Sequence, residues 1–145
     1  MPSLKPLTIH AVRHLAHSLA QELMDWGEPI PAFQTRYPNV LEACVSAPFQ
    51  TFDKHLLYPG IEKKAAVLFY CLIKNHPFQN GNKRIAVTSL LVFLFLNKRW
   101  LRVHPAQLYT FAVWVAQSPP EVREDVLNAI QKFIKKYSES VNPGA

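Results

Sequence analysis

Six apolar-periodic segments, separated by proline- and glycine-bearing breaks, predict an all-α fold. Along most of the chain the apolar residues recur at steps of three and four, the helical period. Apolar residues make up 49% of the 145 and charged residues 18%, which suits a packed core and not a disordered chain. Twelve prolines and four glycines fall mainly between the periodic segments, where they end helices. The length suits one domain, 1–145, with residues 1–6 and 138–145 expected to be frayed.

The first helix is expected from Thr8 to Trp26, where Ile9, Val12, Ala16, Leu19, Leu23 and Trp26 recur on one side and Gly27 follows as a stop. Three prolines make 28–38 a loop. Asn39 is the expected cap of a second helix, Val40 to Ala47, which Pro48 ends. Residues 48–60 hold no helical period and read as a loop or short hairpin. The third helix runs from Ile61 to about Lys74, apolar on nearly all sides and so deeply buried. The fourth, from about Asn82 to Lys98, is of the same kind, and the two should pack as an antiparallel central pair. Residues 99–104 are a short connection, and Pro105 opens a fifth helix to about Gln117. For the sixth, Ser118 is the expected N-cap, Pro119 the first helical residue and Glu121 the partner of a capping box, with the helix reaching Tyr137. The expectation is a compact bundle of about six helices with a short flap or hairpin before the central pair.

Net charge is +6 and the pI near 9.5, which favours an acidic or phosphate-bearing partner. Cys44 and Cys71 lie far apart in apolar contexts, with no CxxC or zinc spacing, and read as buried free thiols of a reducing compartment. The N-terminal stretch lacks a signal-peptide layout, and the apolar run from Ala86 to Leu96 falls short of the roughly 18–20 residues that span a bilayer. A cytoplasmic protein with no membrane partner is expected.

Between the two central helices stands HPFQNGNKR, residues 76–84. The amides at a helix N-terminus are unpaired and carry the positive end of the dipole, which makes them an anion site. Asn80 and Gly81 tolerate left-handed backbone, so the amides of Asn80, Gly81 and Asn82 can curl into a nest. Lys83 and Arg84 fall in the first helical turn, where the dipole disfavours cations unless an anion binds. His76 precedes the nest, and an imidazole can accept the proton of an attacking hydroxyl near neutral pH. Pro77 and Phe78 would hold the loop in place. The residues point to transfer of a phosphate-bearing group to a hydroxyl, with an ordinary Asn-Gly turn as the alternative.

This stretch resembles the signature of the Fic/Doc superfamily, HxFx(D/E)(G/A)N(G/K)R. His76, Phe78, Gly81, Asn82, Lys83 and Arg84 match it. Lys83, where Fic adenylyltransferases carry Gly, resembles the Doc (death-on-curing) branch. An EKKAA segment and a Tyr-Pro-Gly step upstream agree. The resemblance covers about residues 5–137 in helix order and is sharp over 59–98. It implies an all-α core with a flap at residues 48–58, and ATP and Mg2+ as co-substrate and metal. It also implies a toxin-like protein kinase that moves the γ-phosphate to a hydroxyl of a target such as elongation factor Tu, restrained by a cognate antitoxin. By position, His76 would be the base, and Asn80, Gly81, Asn82, Lys83 and Arg84 would bind the nucleotide phosphates.

Two departures matter. Asn80 stands where the family carries an acid to hold metal, and an amide supplies oxygen without charge. Val87 stands where the adenylyltransferases carry a further Arg, which favours phosphate over AMP transfer. A self-inhibitory (S/T)xxxE(G/N) motif is not met, since Leu23 follows the Ser18–Glu22 spacing. The alternatives are a Fic-type adenylyltransferase and a catalytically inactive binding module. In the second, Trp100, Tyr109, Phe111 and Trp114 would line a partner groove or simply join the core.

His10, His14 and His17 could form a zinc stripe on the first helix, but a solvated histidine face accounts for them without metal. Lys132, Lys135 and Lys136 read as a solvated face and not a nucleic-acid surface, because no exposed aromatics interleave them.

Overall fold

The computed structural model describes residues 3–24 and 27–141. Among them six helices and two short antiparallel strand pairs form the all-α architecture that the sequence predicts.

Helix α1 is continuous in three parts: α-helical Ile9–Ala11, a wide π-turn Val12–Ala16 and α-helical His17–Leu23. Thr8 caps it, its Oγ1 accepting from the Ala11 amide at 3.0 Å. It stops at Leu23, short of the expected end; Trp26 lies outside the described residues. The extra residue in the π-turn rotates the faces on either side of it. His10 and His14 therefore stay in solvent while His17 is buried, and the three imidazoles do not share a face.

Helix α2, Pro38–Ser46, starts before the expected cap Asn39. Proline carries no amide donor and its φ is already helical, so Pro38 takes the first position and Tyr37 the cap. A 3₁₀ turn, Ala47–Phe49, leads into β1 (Thr51–Phe52) and β2 (His55–Leu56). Their turn residues Asp53 and Lys54 both have positive φ, 51° and 65°, as a two-residue hairpin of matching twist requires. Both strands of the hairpin are exposed.

The central pair is α3 (Ile61–Lys74) and α4 (Asn82–Leu96). Both are buried on most sides, and Phe69, Leu68, Phe93 and Leu90 fill the middle of the core. Helix α4 ends two residues early because Asn97 turns its amide onto the Phe93 carbonyl at 2.9 Å and Lys98 reverses the chain at φ 62°.

Helix α5 (Pro105–Gln117) is capped by His104, whose Nδ1 accepts from the Ala106 amide at 3.1 Å. The next junction corrects the sequence reading. Ser118 ends α5, its hydroxyl donating back to the Val115 carbonyl at 2.6 Å. Pro119 cannot be helical because Pro120 follows it, and a residue before proline is pushed to extended backbone; its ψ is 150°. Glu121 falls in a 3₁₀ turn, Pro120–Val122, and no capping box forms. Helix α6 is Arg123–Tyr137.

Described residues near both termini are held to the rest of the protein. Strand β3 (Arg99–Leu101) pairs with β4 (Ser138–Ser140), part of the tail expected to fray. The Lys5 amide donates to Asn97 Oδ1 at 2.7 Å, and Asn97 Nδ2 returns a bond to the Lys5 carbonyl at 2.9 Å. Of the C-terminal aromatics, Phe111 stacks on Phe133 with ring centres 4.4 Å apart, while Trp100 and Trp114 remain exposed. No described helix is long and apolar enough to cross a membrane.

Candidate active site

The loop from α3 to α4 is built by its own sequence. Asn75 closes α3, its amide bonding to the Cys71 carbonyl at 3.0 Å. His76 follows in the left-handed region at φ 52°, the place after a helix cap that usually holds glycine. Its imidazole is exposed and has no hydrogen-bond partner among the described residues. The next two residues anchor the loop. The Pro77 carbonyl accepts from the Tyr37 amide at 2.9 Å. Phe78, 1% exposed, packs against Phe33 and His17 with ring centres 6.1 and 5.9 Å away. His17 is itself fixed by a 2.8 Å contact between Nε2 and the Pro31 carbonyl.

Asn82 clamps this loop from inside. Its Oδ1 accepts from the Phe78 amide at 2.9 Å and its Nδ2 donates to the Phe78 carbonyl at 2.8 Å. The side chain is thus spent on shaping the loop, and the backbone amide of Asn82 is the part left for the expected nest. Gly81 caps α4 at φ 75°. A Cβ there would come within 2.7 Å of Ile30 Cδ1, so both the backbone angle and the close approach of Ile30 require glycine. The first intrahelical bond of α4 runs from the Ile85 amide to the Gly81 carbonyl at 2.9 Å, and the amides of Asn82, Lys83 and Arg84 precede it.

The two cations differ. Lys83 is half-buried and makes no ion pair or hydrogen bond among the described residues. Arg84 is 6% exposed and donates from Nη1 to the Met24 carbonyl at 3.2 Å, tying α4 to the end of α1. A Cβ on Gly81 would lie 3.4 Å from Arg84 Nη2, so the guanidinium also lies close to the loop.

Asn80 donates from Nδ2 to Glu28 Oε2 at 3.3 Å, while its buried Oδ1 has no partner. An unpartnered amide oxygen with a carboxylate beside it is a donor set that suits a hard cation. Glu28 escaped the sequence reading because 52 residues separate it from Asn80 and no local pattern marks it. Among the described residues no group of three or more His, Cys, Asp or Glu gathers as a metal site, and His10, His14 and His17 do not come together as one.

The loop thus brings an exposed imidazole, a run of helix-start amides and one unpaired cation to one end of the central helix pair. A model of the Fic/DOC family matches residues 6–94, which takes in α1 through most of α4 and the whole loop. No curated protein and no solved structure matches the chain.

Proposed function

The chain belongs to the Fic/DOC family, and on that footing we propose that it is a Doc-type protein kinase that transfers the γ-phosphate of ATP to a hydroxyl of a target protein. The family supports transfer of a phosphate-bearing group in general. The observation that carries the reading to this chain is the loop itself: His76 unpartnered beside the open N-terminus of α4 with Lys83 in its first turn.

In this reading the phosphates lie on the amides of Asn82, Lys83 and Arg84, with Lys83 neutralising their charge and the buried Arg84 guanidinium adding positive potential. The target hydroxyl loses its proton to the His76 imidazole as its oxygen bonds to the γ-phosphorus, and the bond to the β-phosphate oxygen breaks to release ADP. A bound Mg2+ would shield phosphate charge. Asn80 Oδ1 and the Glu28 carboxylate are the oxygens that would hold it, the second supplying the charge that an amide lacks. Glu28→Gln should weaken Mn2+ binding several-fold, read by the loss of free-ion electron-spin signal on titration; unchanged binding would remove Glu28 from the site.

Lys83 in place of glycine and Val87 in place of a further Arg favour phosphate over AMP transfer. Elongation factor Tu as target, a cognate antitoxin as restraint and a cytoplasmic setting belong to the same proposal and rest on the resemblance to the Doc branch. The test is incubation with bacterial lysate, Mg2+ and ATP labelled at the γ or the α phosphate. Label from γ alone on a protein band, absent with His76→Ala, is expected. Label from α alone would make the protein an adenylyltransferase, and silence from both would leave a binding module.

A further inference from the structure

At the far end of α3 from the catalytic loop lies a buried charge that the proposed reaction does not use. Lys64 is 2% exposed. Its ammonium donates to the Tyr58 carbonyl and sits over the Phe49 ring, 5.2 Å from its centre. No carboxylate pairs with it: the ion pairs of the described residues are Arg36–Glu42, Arg102–Glu139 and Arg123–Glu124. Burial pushes the Lys64 ammonium below its ordinary range, with no acidic neighbour acting on it. The acid nearest in sequence, Glu62, lines a different cleft with Lys63. Buried charges are normally paired, because taking an unpaired ion out of water is unfavourable.

Beside this ammonium lies a cavity of about 290 Å³, lined by Ser3, Leu4, Phe49, Leu56, Gly60 and Lys64. Its walls are mainly apolar, and Lys64 is the one charged group among the described lining residues. Gly60, the N-cap of α3, forms part of the wall, and the acid of the first turn, Glu62, answers the helix dipole. Leu56 belongs to the exposed hairpin and is itself 48% exposed.

We propose that this cavity is a binding site for a carboxylate carried on a short apolar stem, with Lys64 as its counter-ion and Leu4, Phe49 and Leu56 around the stem. The ligand completes the charge pair that the fold leaves open and ties β2 to the start of α3. The inference is independent of the reaction proposed for His76.

The test is NMR of the full-length protein, following the Lys64 ε-methylene during titration with butyrate and with its neutral isostere butyramide. Butyrate is expected to bind in preference by about tenfold, the worth of a shift of one pKa unit from an opposite charge, and to raise the titration point of Lys64 by a similar amount. Lys64→Met should abolish the preference; the wild-type titration stands alone if that variant does not fold. A second pair, acetyl-Leu-Glu-Leu-amide and acetyl-Leu-Gln-Leu-amide, distinguishes the sources. Tighter binding of the Glu peptide than of butyrate places the carboxylate on a polypeptide, and the reverse order places it on a free acid. Equal response to butyrate and butyramide, or a preference that survives in Lys64→Met, overturns the proposal.

Discussion

His76 sits in a backbone region that L-residues with a side chain visit at a cost, and no hydrogen bond or ion pair of its imidazole among the described residues repays that cost. A strained, unpartnered imidazole is expected where function and not stability sets the residue. His76→Gly separates the two. It should raise unfolding free energy by roughly 0.5–1 kcal/mol, because glycine adopts this φ without strain, while transfer is lost. Urea unfolding and the label assay on the same preparation check this; a variant less stable than wild type would show that the imidazole packs. Asn82 teaches the opposite lesson. Its place in the motif suggests ligand contact, yet both polar atoms of its side chain hold the Phe78 backbone. A motif position can thus act on substrate through the shape of its loop. Residue type marks which positions matter, but the division between contact and support depends on partners that a linear pattern does not show.

The helices illustrate how local signals compete. Pro120 overrides the start signal of Ser118 and Pro119, because the steric bar on the residue before proline is stronger than a capping preference. The π-turn in α1 has no such local signature, but it meets a partner in α4: Thr88 Oγ1 donates to the Ala16 carbonyl at 2.7 Å, at the end of that turn. Where α2 meets α3, Asn75 Nδ2 approaches Cys44 Sγ at 3.9 Å, and burial pushes the Cys44 thiol up from 9.0 to about 12. The unfolded chain loses this proton near pH 9, so above that value only the folded state retains it. Stability from Cys44 is therefore complete below about pH 8.5 and declines as pH rises towards 12. Between pH 9 and 10 the decline should approach about 1.4 kcal/mol per unit. Urea midpoints at pH 7 and 10 should show a smaller fall in Cys44→Ala than in wild type; equal falls would place the effect on other groups.

The segment after α6 is held against β3. Strand β4 pairs with β3, the Arg102 amide reaches the Tyr137 carbonyl at 2.8 Å, and Arg99 Nε donates to Ser138 Oγ at 2.9 Å. Removing residues 138–145 deletes several of these bonds. It should lower the Tm by roughly 4–8 °C, for a loss of about 2 kcal/mol, with helical content unchanged in circular dichroism. An unchanged Tm would mean that the strand pair adds nothing to stability. The short β3 and β4 carry no alternating apolar pattern, and each exists because the other is nearby; sequence distance hides such pairs. The same holds for Glu28 beside Asn80 and for Lys64 above its cavity. The residues alone predict the helical class, the span of α3, the hairpin and the position of the loop, since periodicity, proline and glycine act over a few residues. Which side chains of that loop face a ligand, which support it, and which buried charge is left without a partner are matters of long-range packing, where desolvation and hydrogen-bond pairing between distant segments decide the outcome.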